Sequence, residues 1–188
     1  MKFGTCLTVD YRARHPSRKE LLHVLSKLFL PEYRTVAYYR LALCLRNGPL
    51  RLLTYPLGSL LLIRLARIPG VEFRNRLPAG IGLLLPHPHD IVIGHGVRIG
   101  RNVTIYNGVT LGARTILDLD NVRNEADRYP TIEDDVTIMA GAKVIGPVVI
   151  GRNSIIGANA VVRNSFAPDS VIAGVPARLI RTLGKNGS

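Results

Sequence analysis

Tryptophan is absent from this 188-residue chain, and aromatic residues make up only 6% of it. The core therefore comes from aliphatic side chains, which suits thin layers in which β-branched residues stack in ladders. Cysteine is scarce: Cys6 and Cys44 are the only two, with no metal-type spacing, which argues against a disulfide scaffold. Acidic residues are scarce at the start. Residues 1–70 hold twelve Lys or Arg against three Asp or Glu, whereas the remainder holds thirteen against ten, and the whole chain carries a net charge of +12. A basic first third is either a solvated face or a surface for an anionic partner such as lipid or a polyanionic glycan. No nucleic-acid-binding motif accompanies the charge, so nucleic acid is not an expected partner. Long hydrophobic runs are lacking too. The most apolar stretch, 50–63, contains Arg51, Pro56 and Gly58 and is closed by Arg64, too short and too interrupted to span a bilayer. The first residues lack the apolar segment of a secretory signal. A cytoplasmic protein is expected, with peripheral contact to the inner membrane surface through the basic segments as a further expectation.

What the chain does have is a six-residue rhythm. Aliphatic residues fill every sixth position: Ile93, Ile99, Ile105 and Leu111, then Ile132, Ile138, Val144, Ile150, Ile156 and Val162. A second series of small or aliphatic residues runs two positions ahead: Ile91, Val97, Val103, Val109, then Val136, Ala142, Val148, Ser154 and Ala160. Glycine often follows the main slot. Neither an α-helix nor a plain alternating strand produces this period; a hexapeptide β-helix does, because each coil stacks its apolar slots on those of the next. The expected fold is an all-β solenoid over 71–180, preceded by a basic helical region, 1–70, and followed by a tail, 181–188. The slots Leu111 and Ile132 are 21 residues apart, not a multiple of six. An excursion near 113–130, roughly 114–128, must therefore leave the coil, and loops of that length in compact repeats often carry function. It holds Asp118, Asp120, Arg123, Glu125, Asp127 and Arg128. In the first region, the capping box formed by Ser17 and Glu20 opens a predicted helix to Phe29. A second helix starts at Pro31-Glu32 and stops at Asn47-Gly48-Pro49. A third, over 50–67, is expected to bend or break at Pro56.

Counting back by sixes from Ile93 reaches His87 and then Ile81. His87 thus occupies a slot where the pattern calls for an aliphatic residue, and departures from a strong pattern tend to mark function. An imidazole at a coil edge can act as a general base or can sit buried and neutral against backbone. His89 and His95, six residues apart, fall in equivalent slots of successive hexapeptides. With His87 they offer an alternative, a metal site of a hydratase type.

The segments Leu85-Pro86-His87, Ile91-Val92-Ile93-Gly94, Val109-Thr110-Leu111-Gly112, Asp127-Arg128-Tyr129-Pro130, Met139-Ala140-Gly141-Ala142-Lys143 and Ala173-Gly174-Val175-Pro176-Ala177-Arg178 resemble the serine acetyltransferase branch of the hexapeptide acyltransferases. The short N-terminal region, with Tyr39-Arg40-Leu41, is similar to serine-acetyltransferase-like proteins of capsule and exopolysaccharide clusters. The resemblance implies a left-handed parallel β-helix, acetyl-CoA as acyl donor, no resident metal, and a homotrimer with sites between subunits, with pairing of two trimers as a further option. It makes His87 the catalytic base and Glu72 the carboxylate that orients it. Gly112, Ala113, Ala140 and Ala158 line the pantetheine channel or the thioester, and Arg178 meets a CoA phosphate. His89 falls beside the acceptor. Two positions depart from the family: Pro86 stands where an Asp precedes the catalytic His, and Tyr129 where a second His helps hold the amino-acid carboxylate. On that ground the expected acceptor is a sugar or polysaccharide hydroxyl, with L-serine the alternative. A non-catalytic hexapeptide scaffold is the reading from another class.

Overall fold

The computed structural model describes residues 10, 13–14, 31–47, 51–66, 70–73, 80–114 and 128–184. The predicted helix over 17–29 lies outside them. Among the described residues two long helices, α1 (Pro31–Asn47) and α2 (Arg51–Ala66), precede thirteen short strands. Pro31 opens α1, a position whose backbone N–H would have no helical acceptor anyway. α2 runs through Pro56 without a break. The proline stands in the second turn, where its missing N–H removes a single helical bond, so the expected interruption does not occur. The two helices touch closely at Gly58, where a Cβ would lie 2.8 Å from Ala42 O. Among the described residues no helix is long and apolar enough to cross a membrane.

The strands wind into a left-handed parallel β-helix of three sheets. The first sheet is β1 (Val71–Phe73), β2 (Ile91–Ile93), β5 (Thr110–Gly112), β8 (Lys143–Ile145) and β11 (Val161–Val162). The second is β3 (Arg98–Ile99), β6 (Thr131–Ile132) and β9 (Val149–Ile150). The third is β4 (Thr104–Ile105), β7 (Thr137–Ile138), β10 (Ile155–Ile156) and β12 (Ser170–Gly174), closed by antiparallel β13 (Ala177–Thr182). Both six-residue series point inward. Every member of the main series is at most 4% exposed, and so is every member of the second, Ser154 included. Burying one such aliphatic side chain stabilises by about 1.5–3 kcal/mol, so the ladder is the principal source of cohesion.

Register fixes the coil length. Val92 pairs with Thr110 and Lys143 with Val161, each a step of 18 residues. Thr110 pairs with Lys143, a step of 33. The surplus of fifteen residues matches the excursion expected over 114–128. Among the described residues six other than glycine adopt positive φ at the corners, and all are Asn or Asp: Asp90, Asn102, Asp135, Asn153, Asn159 and Asp169. These short polar side chains tolerate the left-handed region and bond locally, as Asn102 Nδ2 does to Asp135 Oδ1 at 3.1 Å.

A polar lock fastens the N-terminal residues to the first coil. The Asp10 carboxylate is 5% exposed, pairs with Arg40 and accepts the N–H groups of Gly82 (2.8 Å) and Leu83 (3.1 Å). Arg40 also donates to Gly80 O at 2.7 Å. Arg14 reaches Gly82 O at 2.7 Å, Asn102 O at 2.7 Å and Thr104 Oγ1 at 2.9 Å.

Candidate active site

The position of His87 follows from a local change of register. Leu84 bridges Thr104, a step of 20 residues, whereas Gly108 N donates to His89 O, in phase with the ordinary step of 18. The lower coil thus holds two residues more than the upper one between Leu84 and His89. They bulge outward within Leu85-Pro86-His87-Pro88, where the two prolines cannot donate to the ladder. Leu83 and Leu85, both 0% exposed, take the inward slots of this coil, while Ile81 is 45% exposed. His87 is therefore not a replacement in the apolar wall, as the count by sixes suggests. It stands exposed on a bulge at the corner from the third sheet to the first. Within the single chain the ring is open to solvent rather than packed against backbone.

The ring of His87 lies 6.3 Å from that of Tyr106, with the planes tilted by 56°. Tyr106 occupies the same corner one coil higher, and its N–H is fixed to Ile138 O at 3.0 Å. The pattern carried little signal for it: Tyr106 follows the main slot Ile105, where glycine is frequent, but Glu133, Met139, Ile145 and Arg163 follow main slots too. Ala140 and Ala158 occupy the next two coils of this edge, 18 residues apart. Gly157, next to Ala158, lies against Ala173, and Ala173 pairs with Arg178 across the closing hairpin. His87, Ala140, Ala158 and Arg178 thus mark one edge of the prism from bottom to top. Pro86 and His89 flank His87 on the bulge. Three coils at about 4.8 Å each separate His87 from Ala158, roughly 14 Å.

Glu72 lies in β1, in register with Val92 rather than His87. It is exposed on the same side of the first sheet as Val92, and Gly70, two residues earlier, backs onto Pro88 and His89. Among the described residues no hydrogen bond joins Glu72 to His87.

The remaining expected residues sit on a different edge. Gly112 ends β5 and Ala113 follows it at the corner from the first sheet to the second, and Tyr129 returns the chain to that corner after the excursion. Tyr129 hydroxyl and His95 Nδ1 are 3.0 Å apart, and their rings meet edge to face at 4.8 Å. The flanking glycines form the seat of the tyrosine ring: a Cβ on Gly94 would lie 2.5 Å from Cε1, and one on Gly96 only 2.2 Å from Cδ2. His95 is thereby drawn away from His87 and His89. Among the described residues no three His, Cys, Asp or Glu side chains converge as metal ligands.

A parallel β-helix of hexapeptides with an exposed histidine on one edge defines the class: a hexapeptide-repeat transferase. The profile of the bacterial transferase hexapeptide family (six repeats) matches residues 129–164. Serine acetyltransferase of Mycobacterium tuberculosis is 36% identical over 94% of this chain and 72% of its own length. That of Staphylococcus xylosus is 40% identical over 62% of this chain, and the match spans half of the relative. The crystal structure of Neisseria gonorrhoeae serine acetyltransferase superposes with a TM-score of 0.72 at 29% identity, over 98% of this chain and 67% of that one. A serine acetyltransferase in complex with CoA superposes with a TM-score of 0.66 at 28% identity, over 95% and 68%. The chain belongs to the serine acetyltransferase family of hexapeptide-repeat transferases. These likenesses overturn the expected sugar or polysaccharide acceptor, and nothing among them supports a role in capsule synthesis.

Proposed function

We propose that this protein transfers an acetyl group from acetyl-CoA to the hydroxyl of L-serine. The observation that carries the reading is 36% identity to a serine acetyltransferase across nearly the whole chain. Tyr129 and Pro86 had pointed to a neutral acceptor, because charged groups were missing at those positions. The geometry weakens that inference. Tyr129 is tied to His95, so its edge still presents one donor for a carboxylate: imidazole Nε2–H where the phenol donates to Nδ1, or the phenol O–H where Nδ1–H donates to the phenol.

In this reading His87 is the general base. Its exposed ring takes the proton of the serine hydroxyl, and the oxygen attacks the thioester carbonyl. The imidazolium then protonates the departing CoA thiolate, so no acyl-enzyme forms. Glu72 would orient the imidazole for this transfer from the neighbouring strand. The small side chains of Ala140 and Ala158 leave room along the edge for a pantetheine arm, and Arg178 lies at its upper end for a phosphate. Gly112, Ala113 and Tyr129 occupy another edge, so they reach the same substrates only from an adjacent subunit. A homotrimer, which faces one edge of each prism toward a neighbour's different edge, is the assembly this requires. A backbone N–H near Gly112, in this reading the donor to the oxyanion, would then belong to the neighbour; such a donor is worth about 3–4 kcal/mol in the transition state.

The test is release of free CoA thiol from acetyl-CoA with L-serine. Wild-type protein should turn over, and His87→Ala should lose all measurable turnover while sedimenting like the wild type. Near-normal acetylation by His87→Ala would remove it from the base role, and a wild type inert toward L-serine would remove the acceptor.

A further inference from the structure

We infer that Tyr106 is a positioning residue for His87, its ring setting the orientation in which the imidazole meets the acceptor hydroxyl. The inference rests on the proposed role of His87 as base. His87 stands on a bulge of two extra residues, so no ladder bond of the parallel sheets fixes its side chain. Among the described residues no hydrogen bond reaches its ring. The prolines on either side restrain the backbone, and the contact that remains for the imidazole is Tyr106, centroid to centroid 6.3 Å and tilted by 56°. That is within the range and angle in which aromatic pairs attract. Tyr106 is itself well fixed. It follows the fully buried Ile105, is half-buried, and has its N–H bonded to the coil above. A rigid ring one coil up thus limits the rotation of a ring to which, among the described residues, no hydrogen bond runs. Glu72, one strand below, is in register with Val92 rather than with His87.

Two variants separate ring from hydroxyl. Tyr106→Phe keeps the ring and should retain kcat within about two-fold. Tyr106→Leu keeps bulk without the ring and should lower kcat with L-serine about five-fold, the scale of one lost aromatic contact, while the KM for acetyl-CoA stays unchanged. A second readout needs no turnover. In NMR spectra of full-length protein, the His87 Cε1–H signal, assigned by its loss in His87→Ala, should shift in Tyr106→Leu and stay in place in Tyr106→Phe. Unchanged kcat and an unmoved His87 signal in Tyr106→Leu would overturn the inference. A Tyr106→Phe variant as impaired as Tyr106→Leu would overturn it as well, because the hydroxyl would then be the active part. Retained activity in His87→Ala would instead sink the base assignment, and the NMR comparison would still decide whether Tyr106 holds the ring.

Discussion

Asp10→Ala should destabilise the protein far more than its place near the start of the chain suggests. The Asp10 and Arg40 side chains are 7% and 13% exposed. Removing the carboxylate leaves the Arg40 guanidinium against Gly80 O without a counter-ion and strips acceptors from the N–H groups of Gly82 and Leu83. Breaking a buried pair by deleting one partner costs about 3–5 kcal/mol, and each orphaned buried N–H costs about 1–3 kcal/mol. The terms overlap, since water entering the truncated site relieves part of each, so a net loss of about 3–5 kcal/mol is expected. Against a total stability of about 5–15 kcal/mol for a typical domain this is a large fraction. Urea unfolding followed by far-UV circular dichroism, at one fixed protein concentration because assembly adds to apparent stability, measures it. The informative control is Asp10→Ala with Arg40→Met, which removes both charges. It should be more stable than Asp10→Ala alone, with a coupling energy of about 2–3 kcal/mol, since contacting residues in one network are not additive. A loss below about 1 kcal/mol in the single variant, or effects that add to within about 0.5 kcal/mol, would refute the reasoning.

Gly96→Ala puts a methyl group 2.2 Å from Tyr129 Cδ2, so the ring must leave its seat and its bond to His95; overpacking of this kind costs about 1–3 kcal/mol. A melting temperature lower by several degrees is expected, whereas Gly184→Ala, with nothing within 4 Å, should melt like the wild type; equal melting of Gly96→Ala would contradict the seat. Asp134→Asn tests a pH effect. The backbone N–H of Arg101, then its guanidinium, hold the Asp134 carboxyl below its ordinary value of 3.8. A depressed folded value stabilises at pH above 3.8 and the contribution disappears as pH falls through the depressed value. The stability gap between wild type and Asp134→Asn should therefore be present at pH 7, small because the pair is exposed, and close in acid below 3.8; a gap that widens in acid would have the wrong sign.

The solenoid was legible because its information is periodic. Each inward slot from Ile91 to Val162 is set by the same local rule, so errors do not accumulate, and a step of 33 where 18 is normal locates the excursion by arithmetic. The bulge at His87 was not legible for the same reason. A count by sixes assumes a constant coil, and two extra residues shift every slot before them, which is why Ile81 came out exposed and Leu83 and Leu85 inside. Contacts between coils were beyond the pattern too. Tyr106 meeting His87, and His95 meeting Tyr129, join residues 19 and 34 positions apart across neighbouring turns. The acceptor was misread because two positions, Pro86 and Tyr129, were weighed singly. The partner that restores polar character at Tyr129 comes from another coil.

In the proposed function, the separation of the two edges is the reason the chemistry is shared between copies. Each side of the prism is about six residues long, so at about 3.3 Å per residue its corners are up to roughly 20 Å apart. A thioester carbonyl and an attacking oxygen must come within about 3–3.5 Å. His87 with Ala140, Ala158 and Arg178 on one edge, and Gly112, Ala113 and Tyr129 on another, cannot close on one carbonyl within a single rigid solenoid whose inward slots are fully packed. Sliding or bending the coil would expose the ladder that holds it together. Apposing unlike edges of two copies, as in the proposed homotrimer, would remove the conflict without moving any residue, and the geometry that makes the fold stiff would then place the proposed base and donor on opposite walls of one cleft.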